Sequence, residues 1–338
     1  MANQILYISN ADILTAIDGY GLQPPISTLN LPGLGTNNQT IALQSQSGSY
    51  VWRTYQTHTE PETIDYEHKL LTWLDVQPTS FVVPAPIAMA DGATLYRNSR
   101  EFKALFPLVR GEVPDRTNPK QMESVGAALG ELHRTLETYP QVVRPGLASY
   151  SAIEQVHPHI PDPAAMTPEQ MGLSGSQSEN ALFDWWRTEV NRVQAWKSIN
   201  YKKLPHQVIH GDYTPANSLV VGDTVSAVLD FDFALFDARM MDVAAGLFFT
   251  MRTWENSNPW LIADAFCRGY RRWIQLTEAE IAALPWLMQL RSAVSIVWWF
   301  GKEAAAGKPI KLWRIEDLQH LVGWLEENDQ RLSETLRK

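Results

Sequence analysis

Hydrophobic and polar positions change rhythm once along the chain. Up to about residue 106 they alternate in short β-prone runs broken by turn residues, and from Gln121 onward they recur at helical spacing. Gln39 to Gln44 and Tyr50 to Tyr55 flank Gln46-Ser47-Gly48 and predict a hairpin; Asp91-Gly92 predicts a second. The stretch Leu31-Pro32-Gly33-Leu34-Gly35-Thr36-Asn37-Asn38, ahead of the first hairpin, is a turn able to bring backbone amides close to a ligand. Thr63 to Leu74 predicts one helix, with Ile64, Leu71 and Leu74 on a single stripe. Phe102 to Pro107 predicts a last strand, running into a hinge at Val109-Arg110-Gly111. Beyond it, Met122, Val125, Leu129, Leu132 and Leu136 mark the buried face of a helix, with His133 at its edge. Ser149 to Asn180, rich in Pro, Ser, Gly and Gln, predicts an irregular insertion or lid, and Ala181 to Asn200 and Asn258 to Leu336 predict further helices. The fold class is α+β, with an antiparallel-sheet lobe and one helix over 1–106 and a mostly helical lobe over 107–338.

Composition narrows the class of partner. Of 338 residues 45% are hydrophobic and 19% charged, which excludes a disordered chain. A net charge of -9 argues against a protein built around nucleic-acid phosphates. The lone Cys267 forms no internal disulfide, and MANQILYISN has neither a basic nor an apolar leader region, so a cytoplasmic location is expected. Apolar runs such as Val243 to Phe249 and Ala293 to Phe300 fall short of the ~18–20 residues of a membrane span. A small-molecule partner is expected, with neither nucleic acid nor membrane, for a monomer or homodimer.

Charge placed against pattern points to chemistry. Glu67 lies within the apolar stripe of its helix, and a carboxylate there costs several kcal/mol unless paired. Arg53, on the second hairpin strand, is the candidate partner. The stretch HQVIHGDYTPANSLVVGDTVSAVLDFDFALFDARMMD, His206 to Asp242, carries most of the remaining signal. Ser218 to Val221 and Thr224 to Leu229 flank Gly222-Asp223, a two-residue turn. If Val221 opposes Thr224, Asn217 opposes Val228 and Asp230 is its diagonal neighbour, about 7–8 Å away. An amide and a carboxylate so placed suit a hard cation such as Mg²⁺, which keeps water and phosphate oxygens. Asp212, five residues before Asn217, supplies a further carboxylate in the H-x-D-x-x-x-x-N spacing of the protein-kinase catalytic loop.

His210-Gly211-Asp212 with Asn217, followed by Leu229-Asp230-Phe231, resembles the hallmark of the aminoglycoside phosphotransferase and choline kinase superfamily of small-molecule kinases on the protein-kinase-like fold. Asn37 and Asn38, Arg53, Glu67, Leu132-His133 and Asp242 follow the same order, and Val228 to Ala244 with a helix over Asp12 to Tyr20 is similar to the homoserine-kinase-like branch. The resemblance implies a bilobal, ATP-dependent, magnesium-using enzyme with a nucleotide-binding N-lobe and a C-lobe holding the catalytic loop, the metal site and the acceptor pocket. It implies that Asp212 orients the acceptor hydroxyl and takes its proton, that Asn217 and Asp230 hold Mg²⁺, and that Arg53, fixed by Glu67, meets the phosphates. It further implies nucleotide contacts from Asn37 and Asn38, an adenine cradle at Leu105, Phe106 and Leu108 beside Gly111, and support of the loop by His133, His210 and Asp242. Arg53 stands where much of the superfamily has Lys; Arg keeps its charge and can bridge two oxygens, but the exchange is not neutral.

The acceptor is less legible. Thirteen tryptophans are mostly core, and adjacent pairs such as Trp298-Trp299 cannot both face one pocket, which leaves Trp298 as a candidate wall. Arg291 is open to two readings, a salt bridge or a dock for the carboxylate of a substrate such as homoserine. Asp237 is placed to meet a substrate amine or to cap a helix. The acceptor classes in view are an amino alcohol, a homoserine-like amino acid or an aminoglycoside. The alternative is a nucleotide-binding pseudokinase, and a kinase of proteins ranks last because Phe231 to Asp242 contains no Ser, Thr or Tyr.

Overall fold

The computed structural model describes residues 6–7, 17–29, 38–97, 101–140, 143–173, 175–251 and 258–338. Its strands are β1 (Leu6–Tyr7), β2 (Ser27–Leu29), β3 (Gln39–Ser45), β4 (Gly48–Thr54), β5 (Tyr96–Arg97), β6 (Phe102–Pro107), β7 (His206–Ile209), β8 (Ser218–Val221), β9 (Thr224–Val228) and β10 (Leu235–Ala238). Its helices are α1 (Pro61–Asp75), α2 (Pro119–Leu136), α3 (Gln177–Asn200), α4 (Met240–Met251), α5 (Pro259–Arg271), α6 (Glu278–Ala305) and α7 (Trp313–Arg337). The chain forms two compact units: Met1–Val113 with Val143–Gly146 and Asn217–Phe233, and Pro114–Val142 with Leu147–Ala216 and Ala234–Lys338.

In the first unit an antiparallel sheet runs in the order β1-β2-β3-β4-β6-β5. Strand alternation sorts its two faces. Leu43, Trp52 and Leu105 join Ile17, Tyr20, Leu22 and Ile26 in a buried cluster. Arg53, opposite Thr40 and Ala104 in the register, and Phe106 face α1, which Pro61 opens at its first turn. Buried Ile64, Glu67, His68, Leu71 and Leu74 make the inner stripe of that helix. The expected hairpin at Asp91 is a turn without flanking ladders; Pro84 and Pro86 deny the preceding segment the donors a strand needs. Of the helix expected over Asp12 to Tyr20, residues 12–16 lie outside the described ones, and Ile17 and Asp18 are helical.

The hairpin β8–β9 belongs to this unit, whereas a division after residue 106 assigns it to the helical lobe. Val82 bridges Ala227, its amide 2.9 Å from the Ser226 carbonyl, and Glu112 exchanges backbone bonds of 3.0 and 2.8 Å with Val220. These bonds draw the hairpin, and the chain as far as Val113, to the sheet side.

The second unit is helical apart from the antiparallel ribbon β7–β10. Capping boxes open α3 at Ser176 and Glu179 and α6 at Thr277 and Glu280. The irregular stretch expected before α3 holds turns and one short 3₁₀ segment, Ile153–Gln155. Helix α6, with Pro285 inside it, is long and apolar enough to cross a membrane by length and composition. That differs from the short uninterrupted runs in the sequence, because Ala, Ser and Gln extend the helix between them. It is 67% buried over its apolar window, as a core helix is.

Helices α2 and α5 meet through glycines. A Cβ at Gly126 would lie 1.9 Å from the Phe266 carbonyl oxygen, and one at Gly269 would lie 1.9 Å from that of Glu123. The neighbour in both cases is backbone, which cannot rotate aside. Gly269→Ala is therefore expected to destabilise the protein by about 3 kcal/mol, the upper range for overpacking, as read from urea melts.

Candidate active site

In the first unit, charges gather under the sheet. Arg53 Nη1 lies 2.9 Å from Glu67 Oε1, and Nη2 lies 3.9 Å from Asp230 Oδ1. The guanidinium stacks 5.0 Å from the Phe106 ring. The ion pair expected from the buried position of Glu67 is present. Burial lifts the Glu67 carboxyl, Arg53 opposes, nearby Asp232 adds to the rise, and the net value is about 7.

Asp230 follows the end of β9. It is the one described non-glycine residue with positive φ, at 66°. That conformation costs an L-residue roughly 1 kcal/mol or more and persists where surrounding structure imposes it, often at functional sites. The expected register is one residue off. A bulge between Leu219 and Val220 sets Ser218, rather than Asn217, opposite Val228. Asn217 instead accepts at its carbonyl from the Leu229 amide at 2.8 Å, which still makes it the cross-strand neighbour of the Asp230 segment.

Two residues here carried no sequence signal. Asp232 is fully buried and takes a 3.0 Å bond from Asn38 Nδ2, while Asn38 Oδ1 accepts from the Gln56 amide. Arg144, in the short Val143–Gly146 segment, donates to the Phe231 and Thr63 carbonyls at 3.4 and 3.3 Å. Nothing in the Arg144-Pro145-Gly146 pattern marks it as more than a turn. Glu67 Oε2 and Asp232 Oδ1 are buried without a hydrogen-bond partner, and such oxygens call for water or a cation. Among the described residues no group of three or more His, Cys, Asp or Glu could hold a metal alone. The oxygen donors of Asn217 and Asp230 fit a hard cation that draws its other ligands from phosphate and water.

The remaining nucleotide-side expectations separate. Leu105 points into the cluster on the face opposite Arg53, so its side chain is removed from the cradle expected of it. Phe106 shares the face of Arg53. Leu108 is half-buried, its amide bonded to the Ser49 carbonyl at 3.0 Å. Asn37 lies outside the described residues.

In the second unit the catalytic-loop sequence is built on Asp242. Its carboxylate accepts from the His210 and Gly211 amides, each at 2.8 Å, and Oδ2 lies 3.1 Å from His133 Nε2. A carboxylate only accepts, so His133 Nε2 donates, and Nδ1 lies 2.9 Å from the Tyr270 hydroxyl. Burial would raise the Asp242 carboxyl, but His133 and the loop amides outweigh it and hold it below the usual range. Gly211 adopts φ 83°, which a side chain would resist, and its carbonyl accepts from the Tyr150 hydroxyl. The next residue, Asp212, is half-buried and forms an ion pair through Oδ1 with Arg291 Nη2.

Arg291 is thus neither on the surface nor remote from Asp212. Asp237, by contrast, is withdrawn from any substrate. It is fully buried, and its oxygens accept from the Tyr201 hydroxyl at 2.5 Å and from the Tyr150 and Ala238 amides at 2.8 Å. Burial lifts its carboxyl above the usual range against these bonds. Trp298 packs on His157, and its neighbour Trp299 lines the cavity that Arg291 also lines. Trp299, and not the expected Trp298, is thus the member of that pair on the cavity wall.

The Phosphotransferase enzyme family matches residues 28–284. The chain belongs to that family. Homoserine kinase from Nitrobacter winogradskyi is 28% identical to this phosphotransferase over 258 residues, covering 75% of this chain and 72% of the relative. Among solved structures, a microcompartment-associated aminopropanol kinase superposes with a TM-score of 0.67 at 18% identity, over 96% of this chain and 99% of that one. Amicoumacin kinase, in complex with AMP-PNP, Ca²⁺ and Ami, superposes with a TM-score of 0.67 at 15% identity, over 96% and 94%. At such identities the two structures speak for the fold, a kinase-like antiparallel sheet with a mostly helical remainder.

Proposed function

We propose that this phosphotransferase moves the terminal phosphoryl group of ATP to the hydroxyl of a small molecule, with a hydroxylated amino acid as the acceptor class. The observation that carries the reading is Asp212, on a loop whose two preceding amides are clamped by buried Asp242, in a chain of the Phosphotransferase enzyme family. Kinship with homoserine kinases and the guanidinium of Arg291 beside Asp212 favour an amino acid over an aminoglycoside.

In this reading Asp212 aligns the acceptor hydroxyl and takes its proton late, as the phosphoryl group arrives; alignment is the larger part, because an ordinary carboxylate is a weak base at neutral pH. Arg53 binds phosphate oxygens and Glu67 fixes its direction. Asn217 and Asp230 would hold Mg²⁺. Neutralisation of phosphate charge is the chemistry such an ion supplies. Phe106 and Leu108 border the adenine, and Asn38 is tied to Asp232. Asp212 lies in the helical unit and Asn217 and Asp230 in the sheet unit, and the chain passes from one to the other at Ala216 and Asn217.

The test is ADP release with magnesium and ATP across L-homoserine, 3-amino-1-propanol, ethanolamine, choline and an aminoglycoside. Turnover is expected with L-homoserine, and absence of transfer to every acceptor would remove the reading. A pH dependence follows from Glu67. Its carboxylate form, the one that anchors Arg53, predominates above about 7 and is lost as pH falls through that value. The rate kcat/KM for ATP should therefore decline on the acid side with an apparent pKa near 7. Glu67→Gln, which has no proton to gain, should be slow and lack that limb.

A further inference from the structure

A chamber of about 190 Å³ opens in the second unit, walled by α4, α6 and α7. It is smaller than the ~300–1,000 Å³ of pockets that take drug-sized ligands, and of a size for a single amino acid. Phe249 and Trp299 give it apolar walls, and its charged lining is Arg291, Arg314 and Asp317. Arg314 is fixed in place by a 2.9 Å bond to buried Glu303 and by stacking 5.1 Å from Trp299 and 4.8 Å from Trp313. Arg291 is held differently. Its Nη2 is engaged by Asp212 Oδ1, while its buried Nε has no hydrogen-bond partner. An unmet buried donor is unfavourable, a cost that an incoming acceptor oxygen would relieve.

We propose that Arg291 is a gate on Asp212 operated by the carboxylate of the acceptor, which docks in the chamber between Arg291 and Arg314. The proposal rests on the reading of Asp212 as the group that orients the acceptor hydroxyl. Two guanidiniums and one carboxylate complement a zwitterion: the arginines take its carboxylate and Asp317 faces its ammonium group. Drawing Arg291 toward the ligand uncovers Oδ1, where an acceptor hydroxyl must bond. An amino alcohol that lacks the carboxylate leaves Arg291 on Asp212, where guanidinium and hydroxyl compete for one oxygen. Selection then acts on turnover as well as on binding, because the wrong acceptor meets an occupied Asp212.

The experiment uses the full chain with two acceptors that differ by one group, L-homoserine and 3-amino-1-propanol. Wild-type kcat should be about tenfold or more higher with L-homoserine. Added propionate, a free carboxylate, should raise 3-amino-1-propanol turnover several-fold. Arg291→Met should raise kcat for 3-amino-1-propanol, lose the response to propionate and raise KM for L-homoserine; Arg314→Met should raise that KM alone. A purely structural Arg291 would lower both rates together. If both acceptors turn over alike and propionate does not activate the wild type, the gate is overturned while the kinase reading stands. Transfer to neither of the two but to another acceptor overturns the gate alone, and transfer to no acceptor removes the kinase reading and the gate with it. The propionate arm needs no variant, so a misfolded Arg291→Met does not blunt the test.

Discussion

Asp212→Asn should lower kcat by about 10²–10⁴-fold, the usual weight of a positioned acid or base, while ATP affinity stays within about twofold. The exchange removes the carboxylate to which the proposed reading gives the proton and keeps the shape of the side chain. It also replaces the charged partner of Arg291 by a neutral amide, so a moderate fall in melting temperature is expected alongside the rate loss. Stopped-flow or coupled assays report the first effect, nucleotide-induced thermal shift the second. A variant that kept wild-type turnover would strip Asp212 of its role, whatever its stability.

The second large effect has opposite signs on stability and activity. Asp230→Gly removes an oxygen donor and at the same time relieves a backbone held at φ 66°. Activity should fall by about 10³-fold, because in the proposed reading this carboxylate helps hold the cation that neutralises phosphate charge, an effect worth several kcal/mol. The protein should nonetheless melt about 2 °C higher, the equivalent of the ~1 kcal/mol released when glycine takes a left-handed position. Asp230→Asn is the control: it tolerates the same φ, so it should lose activity without the gain in melting temperature. If Asp230→Gly lost stability instead, the carboxylate would be holding the fold, and the strain at this residue would have no functional reading.

The period of the apolar positions was enough to read β3, β4 and β6, α1 and the helical run from Gln121, because those elements bury one face each. The pairing of Arg53 with Glu67 was legible for the same reason, a charge on an apolar stripe needing a partner. The register of β8 and β9 was not, since a bulge adds a residue without changing the alternation that announces a strand. Asp237 misled because residue type and position suit a substrate contact and a buried hydroxyl clamp equally; only the partners Tyr150 and Tyr201 decide, and they are 87 and 36 residues away in sequence. Trp298 and Trp299 differ by one helical step, and which of them faces the cavity depends on where α6 begins and how Pro285 sets its path. Arg144 was invisible because its role is to reach carbonyls contributed by Thr63 and Phe231, a long-range arrangement with no local signature.

The clamp around Asp242 also bears on how such an enzyme diversifies. Every oxygen of that carboxylate is bonded to the loop or to His133, so a change there disturbs the loop backbone and the helix pairing at once. Ser292, Ser295 and Phe248 line the chamber from α6 and α4 and make none of the bonds of that clamp. If the chamber takes the acceptor as proposed, drift in acceptor preference has an open path through those helix faces, while the loop that carries Asp212 stays fixed. Libraries aimed at new acceptors belong on the former and should leave residues 210–212 and 242 alone.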